Sequence, residues 1–299
     1  MRRSAMLNNL INRFRSRYKG VMGINERNRK LIYLFNDRSD YILADDKLET
    51  KKVLEKNGLN CPETYAAIGR VGDIKRIWEQ KRDVENLVIK PASGRGGNGI
   101  LLIRRRDGEW YQGEKSVSET QIFTHIANII FGMYSGGDDD RAILEELIVP
   151  HPELTAFYRG GIPDIRLITL SEKPIMGMLR LPTRESNGKA NLHQGGVGVG
   201  IDIESGTLTY AYNGKSYIET HPDSNMKIPG KIIPQWNEVM DLAGEVSKAF
   251  PLKYLGIDIV IDKNKGPLVL EINVRPGLSI QMANKAGLMS KINEAKALV

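Results

Sequence analysis

Cysteine is almost missing from this sequence. Cys61 stands alone among 299 residues, which excludes an internal disulfide and any metal site built from several thiolates. Packing is its expected role, ahead of a catalytic thiol. Long apolar runs are missing too: the stretch around Leu255 to Ile261 is broken by charge well before the roughly 20 residues of a membrane-spanning helix. Arg2 and Arg3 open the chain, but no apolar core of roughly 7 to 15 residues follows them, so no secretory signal is read and a cytoplasmic location is expected. Zinc spacing and interleaved aromatic and basic residues are also lacking, and no nucleic-acid partner is expected.

What is present is a globular composition, 41% hydrophobic, with 43 lysines and arginines against 36 acids and a formal charge of +7. Such an excess suits a nucleotide, an acidic peptide or a membrane surface without choosing among them. The pattern divides into three zones: 1–43, 44–140 and 141–299. The first is basic, with Arg13, Arg15, Arg17, Lys19, Arg27, Arg29 and Lys30. Within it Leu7, Leu10, Ile11, Phe14 and Tyr18 recur at helical spacing, which predicts a helix packed on the rest of the protein, or else one touching a membrane surface or a protein partner.

In the second zone Asp46 as N-cap, Glu49 three residues on and Gly58 as stop predict a helix. Short apolar runs at Leu87 to Lys90 and Gly99 to Ile103 flank Ser93, Gly94, Arg95, Gly96, Gly97 and Asn98, which reads as strand, glycine loop, strand. Ser118 with Gln121 opens a further helix. Phe131 to Asp140 reads as a mobile connection with solvated aspartates. The third zone is mostly strands, with a late helix from Asn237 whose Val239, Leu242, Ala243, Val246 and Phe250 share a face. The mixture predicts an α+β architecture.

Two segments carry chemistry. Gly256 to Asp262 and Pro267 to Val274 read as a hairpin; Glu271 and Asn273 project from one face, and an even-length loop centred between Asn264 and Lys265 sets Asp258 opposite Glu271. Three oxygen donors then converge, as magnesium requires, although a solvated hairpin face is the alternative. Lys90 ends a buried strand just before Pro91 and the glycine loop, where it can neutralise phosphate while backbone N–H groups approach. No Gly-Lys-Ser or Gly-Lys-Thr follows, and the loop leads to a strand, so neither a P-loop nor a dinucleotide-binding turn is read.

The order of Asp46-Lys47, Val88-Ile89-Lys90-Pro91, Leu144 to Ile148, Asp164-Ile165-Arg166, Asn191 to Gly196, Asp258 and Glu271-Ile272-Asn273 resembles the ATP-grasp superfamily, and within it the RimK-type alpha-L-glutamate ligases. The resemblance runs from about Ala44 to Leu288. It implies an ATP-grasp fold of two α+β lobes clasping ATP, with the basic segment standing where the family usually has a full preceding domain. It implies that Lys47 and Lys90 contact ATP phosphates, that the loop from Ser93 to Asn98 closes over them, that Glu145, Glu146, Leu147 and Ile148 bind adenine, and that Glu153 reaches ribose. Asp258, Glu271 and Asn273 match the family's magnesium ligands, with manganese as a substitute ion. Arg166, Arg180, Lys189, Asn191 and Arg275 would face the transferred phosphate and the substrate carboxylate, and His193 would orient substrate or act as a base. The expected activity is ATP-dependent coupling of a carboxylate to the amine of an amino acid or peptide. A catalytically silent ATP-binding module docked to a membrane or partner is the alternative, and the oligomeric state is unreadable.

Overall fold

The computed structural model describes residues 20–81, 83–94 and 96–297. The amphipathic stretch with Leu7, Leu10, Ile11, Phe14 and Tyr18 lies outside them, as does Arg95. Two antiparallel sheets organise the chain. The first has the order β1-β6-β2-β3-β4-β5, built from β1 (Thr64–Ile68), β2 (Asn86–Pro91), β3 (Leu101–Arg106), β4 (Glu109–Gln112), β5 (Lys115–Val117) and β6 (Ala142–Glu146). The second runs β11-β10-β9-β8-β7-β12-β13. Its strands are β7 (Asp164–Leu170), β8 (Lys173–Leu181), β9 (Val197–Ile201), β10 (Leu208–Tyr212), β11 (Tyr217–Ile218), β12 (Tyr254–Asp262) and β13 (Gly266–Asn273).

Between short helical turns from Ile24 to Asp45 and β1 lies α1 (Lys47–Lys56), followed along the chain by α2 (Ile74–Glu79), α3 (Glu119–Ile130), α4 (Pro152–Thr155), α5 (Trp236–Ala249), α6 (Ile280–Ala283) and α7 (Leu288–Ala297). Helix α3 carries both halves of the capping box expected at Ser118 and Gln121. Its Ile122, Ile126, Ile129 and Ile130 fall on one face, and they close a core with Trp78, Leu87, Ile89, Ile103 and Leu144 of the first sheet and its helices. Helix α5 does the same for the second sheet: Val239, Leu242, Ala243 and Val246 join Ile165, Leu179, Ile257 and Ile272 in the larger core. No helix among the described residues is long and apolar enough to cross a membrane.

Two features differ from the zones read in the sequence. Strand β6 falls after the expected division at 140/141 yet belongs to the first sheet, where it pairs with both β1 and β2. Its five residues read equally well with either lobe until the pairing is known. Residues before β1 go the other way: Leu31, Ile32, Tyr41, Ala44 and Leu54 are buried in the core of the second sheet. Helix α1 therefore sits on one sheet while its first residue is tied to the other, since Lys47 N–H donates to the carbonyl of Ala92 at 3.0 Å.

The metal-hairpin register also arrives by a different route. The loop has three residues, Lys263 to Lys265, because Asp262 pairs with Gly266. A bulge follows in which Ile259 pairs with Val269 while Asp258 pairs with Glu271, leaving Leu270 as the extra residue. An odd loop plus one bulged residue gives the same register as an even loop, so Asp258 does stand opposite Glu271.

Strand β12 is buried along its whole length. Ile257 at its centre is fully buried between β7 and β13, so Ile257→Ala is expected to lower unfolding free energy by about 3 kcal/mol. Urea denaturation should show this as a lower midpoint with an unchanged slope.

Candidate active site

Alternation on three neighbouring strands builds one charged face. Arg166 on β7 pairs in register with Asp258 on β12, and Asp164, two residues earlier, pairs with Arg180 on β8. Side chains two apart share a face. Arg166 accordingly donates from Nε to Asp258 Oδ1 at 2.7 Å and from Nη2 to Oδ2 at 2.6 Å, a bidentate pairing. Arg180 Nη2 donates to the same Oδ2 at 2.7 Å, while its Nε donates to Asp164. Burial works to raise the Asp258 carboxyl, but Arg166 and Arg180 outweigh it and hold the group below the usual carboxylate range. Asp164 shifts the other way. Burial, with the nearby charge of Asp258 adding to it against Arg180, pushes Asp164 up to about 6.

Across β13, Glu271 and Asn273 complete the face. Asn273 Nδ2 lies 3.4 Å from Asp258 Oδ2, and Lys47 Nζ lies 3.4 Å from Glu271 Oε1. Two acids on an apolar strand were expected to need a cation between them. In this structure guanidinium and ammonium groups supply that charge, so charge compensation alone does not demand a metal ion. Among the described residues no three His, Cys, Asp or Glu side chains are grouped to hold a metal; the expected set takes its third donor from an amide.

The first sheet brings its own charged cluster. Lys90 near the end of β2 meets Glu145 of β6 at 2.5 Å, and Lys51 of α1 meets the other carboxylate oxygen at 2.8 Å. All three are buried. Burial would raise the Glu145 carboxyl, and Lys90 and then Lys51 overcome it and hold it low. Lys90 thus ends on a carboxylate, and the side chain of Glu145 is spent on lysines. Its neighbour Glu146 pairs with Lys265 at 2.5 Å, and Ile148 packs with Val260 and Leu268. Leu147, half-buried, lies between them.

The glycine loop is fixed at its start. Ser93 N–H donates to both oxygens of Asp140 at 3.1 Å, and Asp140 is buried. The last of the three aspartates therefore anchors the loop instead of facing solvent, while Asp138 and Asp139 are exposed as read. A Cβ on Gly94 would lie 2.2 Å from Pro91 Cγ, and Gly96 and Gly97 both take positive φ; glycine is required at these positions by contact and by conformation. From here the two sheets approach each other. Lys47 Nζ donates to Gly94 O at 2.7 Å while facing Glu271, and Lys189 Nζ reaches Asn98 Oδ1 at 3.4 Å.

Other expected residues make contacts of their own. Asn191 caps the turn Leu192–Gln194 by accepting from His193 N–H, and His193 itself is exposed. Arg275 lies over Tyr41 with its charge 3.4 Å from Asp45, so its charge is matched by the N-terminal turns. Glu153, in the first turn of α4, lines a cavity of about 410 Å3 with Phe157, Lys231 and Ile232. Three residues of these clusters went unassigned in the sequence: Lys51, Asp140 and Asp164. The spacing of Lys51 from Lys47, four along a capped helix, and of Asp164 from Arg166, two along a strand, were the available signals. For Asp140 there was none.

A family described as sugar-transfer associated ATP-grasp matches residues 26–297. A probable alpha-L-glutamate ligase of Pseudoalteromonas translucida (strain TAC 125) is 26% identical over 248 residues, covering 83% of this chain and 61% of that protein. One of the same description from Legionella pneumophila (strain Corby) is 25% identical over 264 residues, covering 88% and 66%. The chain thus spans about two thirds or less of the length of these relatives. Among solved structures, a biotin carboxylase complex with ATP from Campylobacter jejuni superposes with a TM-score of 0.53 at 13% identity, over 85% of this chain and 46% of that one, a likeness of fold.

The raised Asp164 carboxyl has a measurable consequence. In the unfolded chain it titrates near 3.9, so from roughly pH 4 to 6 the folded state holds the extra proton. Its contribution to stability is complete below the unfolded value and is lost as pH rises through about 6. The unfolding free energy of the wild type minus that of Asp164→Asn should decline by about 2 kcal/mol over that window. Urea titrations at stepped pH measure it, and a difference that rises with pH contradicts the assignment.

Proposed function

The chain belongs to the sugar-transfer associated ATP-grasp family, and from that premise we propose that it is an ATP-dependent ligase joining a carboxylate to an amine. The observation that carries the proposal is the approach of two halves. Lys47 joins Gly94 of the glycine loop to Glu271 on the strand face that also holds Asp258, Asn273, Arg166 and Arg180, and Lys189 reaches Asn98 of the same loop; Lys90 lies buried on Glu145 in the strand that leads into the loop. The first half offers backbone N–H groups and ammonium charge to phosphates. The second offers guanidinium groups fixed by buried carboxylates, suited to charge that develops on a transferred phosphoryl group.

The donor chemistry fits magnesium, with manganese as substitute: Asp258, Glu271 and Asn273 are hard oxygen donors on one face, and Glu271 is partly exposed toward the cleft side of Lys47. These three residues would hold the ion. A bound ion would supply charge neutralisation to phosphate oxygens. The rest of the chemistry falls to the chain. Lys47 and Lys90 position the nucleotide, and the loop from Ser93 to Asn98, anchored by Asp140, brings N–H groups over it. Arg166 and Arg180 hold the reacting carboxylate and phosphoryl oxygens. The carboxylate oxygen attacks the γ-phosphorus, ADP leaves, and the amine displaces phosphate from the acyl phosphate to form an amide. The similarity to probable alpha-L-glutamate ligases favours glutamate or a similar amino acid as one partner, with an amino acid or peptide as the other.

A second reading, a catalytically silent ATP-binding module, draws on one observation: both oxygens of Asp258 already accept from guanidinium groups. Product chemistry separates the two. Phosphate release screened over amino acids and short acidic peptides, with mass spectrometry of the products, should find an amide product and ADP in equal amounts. Glu271→Gln should keep the wild-type melting temperature within a few degrees and lose about 10²-fold or more of ADP production. ATP binding with no turnover on any acceptor supports the silent module, and full turnover in Glu271→Gln removes this residue from the mechanism.

A further inference from the structure

Three lysines stand within reach of the glycine-loop end of the first sheet, and their polar partners divide the work among them. Lys51 is surrounded: its ammonium donates to Pro62 O at 2.5 Å and Thr64 Oγ1 at 2.8 Å, and stands 2.8 Å from Glu145 Oε2. The last is an ion contact outside hydrogen-bonding angles, leaving Oε2 without a hydrogen bond. With two hydrogen bonds made, a carboxylate oxygen crowding its third side and the side chain buried, Lys51 leaves no room for a ligand. Lys90 differs, with Glu145 Oε1 at 2.5 Å as its one polar side-chain partner among the described residues. Among the described residues two of its donor directions have no partner. Lys47 is spread over Gly94 O, Ala92 O and Glu271.

Charge gives this division a purpose. Lys90 and Glu145 alone would form a neutral buried pair, and a phosphate brought beside it would meet a carboxylate as close as the ammonium. With Lys51 on the far oxygen, the buried trio carries a net charge of +1. In a medium less polarisable than water, one unit of charge a few ångströms away is worth more than it would be at the surface. The carboxylate is shielded on one side, and the excess charge appears at the one lysine with free donors. We propose that Lys51, which touches no ligand itself, is a positioning residue that sets the charge the nucleotide phosphates meet at Lys90. The inference rests on the nucleotide reading above and adds a residue that it does not contain.

Charge variants separate this role from simple packing, with isothermal titration of magnesium and the non-hydrolysable ATP analogue AMPPNP as the readout. Wild-type binding is the control for the nucleotide reading: if wild type takes up no analogue, that reading fails. Given wild-type binding, Lys51→Met takes the trio to zero charge and should weaken affinity about tenfold or more, which is roughly 1.4 kcal/mol. Lys51→Met with Glu145→Gln returns it to +1 and should recover affinity to within about threefold of wild type. A structural role predicts the opposite, because the double variant removes more native contacts than the single one. Glu145→Gln alone raises the charge to +2 and should bind at least as tightly as wild type. Should Lys51→Met fail to fold, Glu145→Gln decides the matter: weaker binding overturns the proposal. Unchanged affinity in folded Lys51→Met, or a double variant no better than the single, overturns it as well.

Discussion

The second sheet depends on how a fully buried carboxylate is kept ionised. Asp258 sits at the middle of β12, a strand with no exposed residue, where an unpaired charge would be strongly unfavourable. The sheet answers with geometry. Asp258 faces Arg166 in register, Arg180 reaches it from one strand further, and Asp164 balances the second guanidinium. Each of these positions follows from period-two alternation on β7, β8 and β12, so a one-residue slip on any of the three would turn a charged side chain into the apolar core. The cluster therefore specifies the register of the central strands more than it adds stability, since a buried ion pair gains little over a well-packed apolar one.

The junction at Asp46 and Lys47 couples this sheet to the other. Asp46 caps α1 through Leu48 and Glu49 N–H groups and also pairs with Arg141, immediately before β6. Lys47 is bound at its backbone to Ala92 and at its side chain to Gly94. The body of α1 packs with the second core, through Leu54 among others. Two adjacent residues thus tie the start of the glycine loop to the hairpin, alongside the Glu146–Lys265 pair. Glu49, read as the reciprocal partner of the cap, turns to Lys52 instead. The helix start survives because the Asp46 side chain alone satisfies two of the orphan N–H groups.

What could be read in the sequence was what local chemistry determines. The capping box at Ser118, the glycine loop between β2 and β3 and the α5 face from Val239 to Val246 all depend on residues within a few positions of one another. The register that sets Asp258 opposite Glu271 agrees with the reading from alternation but has a different cause, because a bulge at Leu270 is invisible to alternation. What escaped were pairings between distant segments. β6 reads as a buried strand in any sheet, and only its contacts with β1 and β2 place it in the first. Asp140 looked like one more solvated aspartate until Ser93 N–H, 47 residues away, was found on its carboxylate. Arg275 lies two residues beyond Asn273, yet the chain turns at Pro276 and sends it to Tyr41 and Asp45.

The two charged clusters differ in net charge, and under the proposed function that difference would order the events at the cleft. On the second sheet Asp164, Arg166, Arg180 and Asp258 sum to zero, and Glu271 with Lys47 adds another neutral pair. On the first sheet Lys51, Glu145 and Lys90 sum to +1. Under the function proposed above, an anionic nucleotide would be drawn first to the lysine side. The arginine face exerts little net pull at a distance, because each guanidinium is already matched. Its guanidinium groups are rigid, and a group already fixed by a buried partner loses little entropy when it meets a new charge. On that reading attraction and orientation fall to opposite sides of the cleft, and Lys47, bound to Gly94 O and facing Glu271, joins the two.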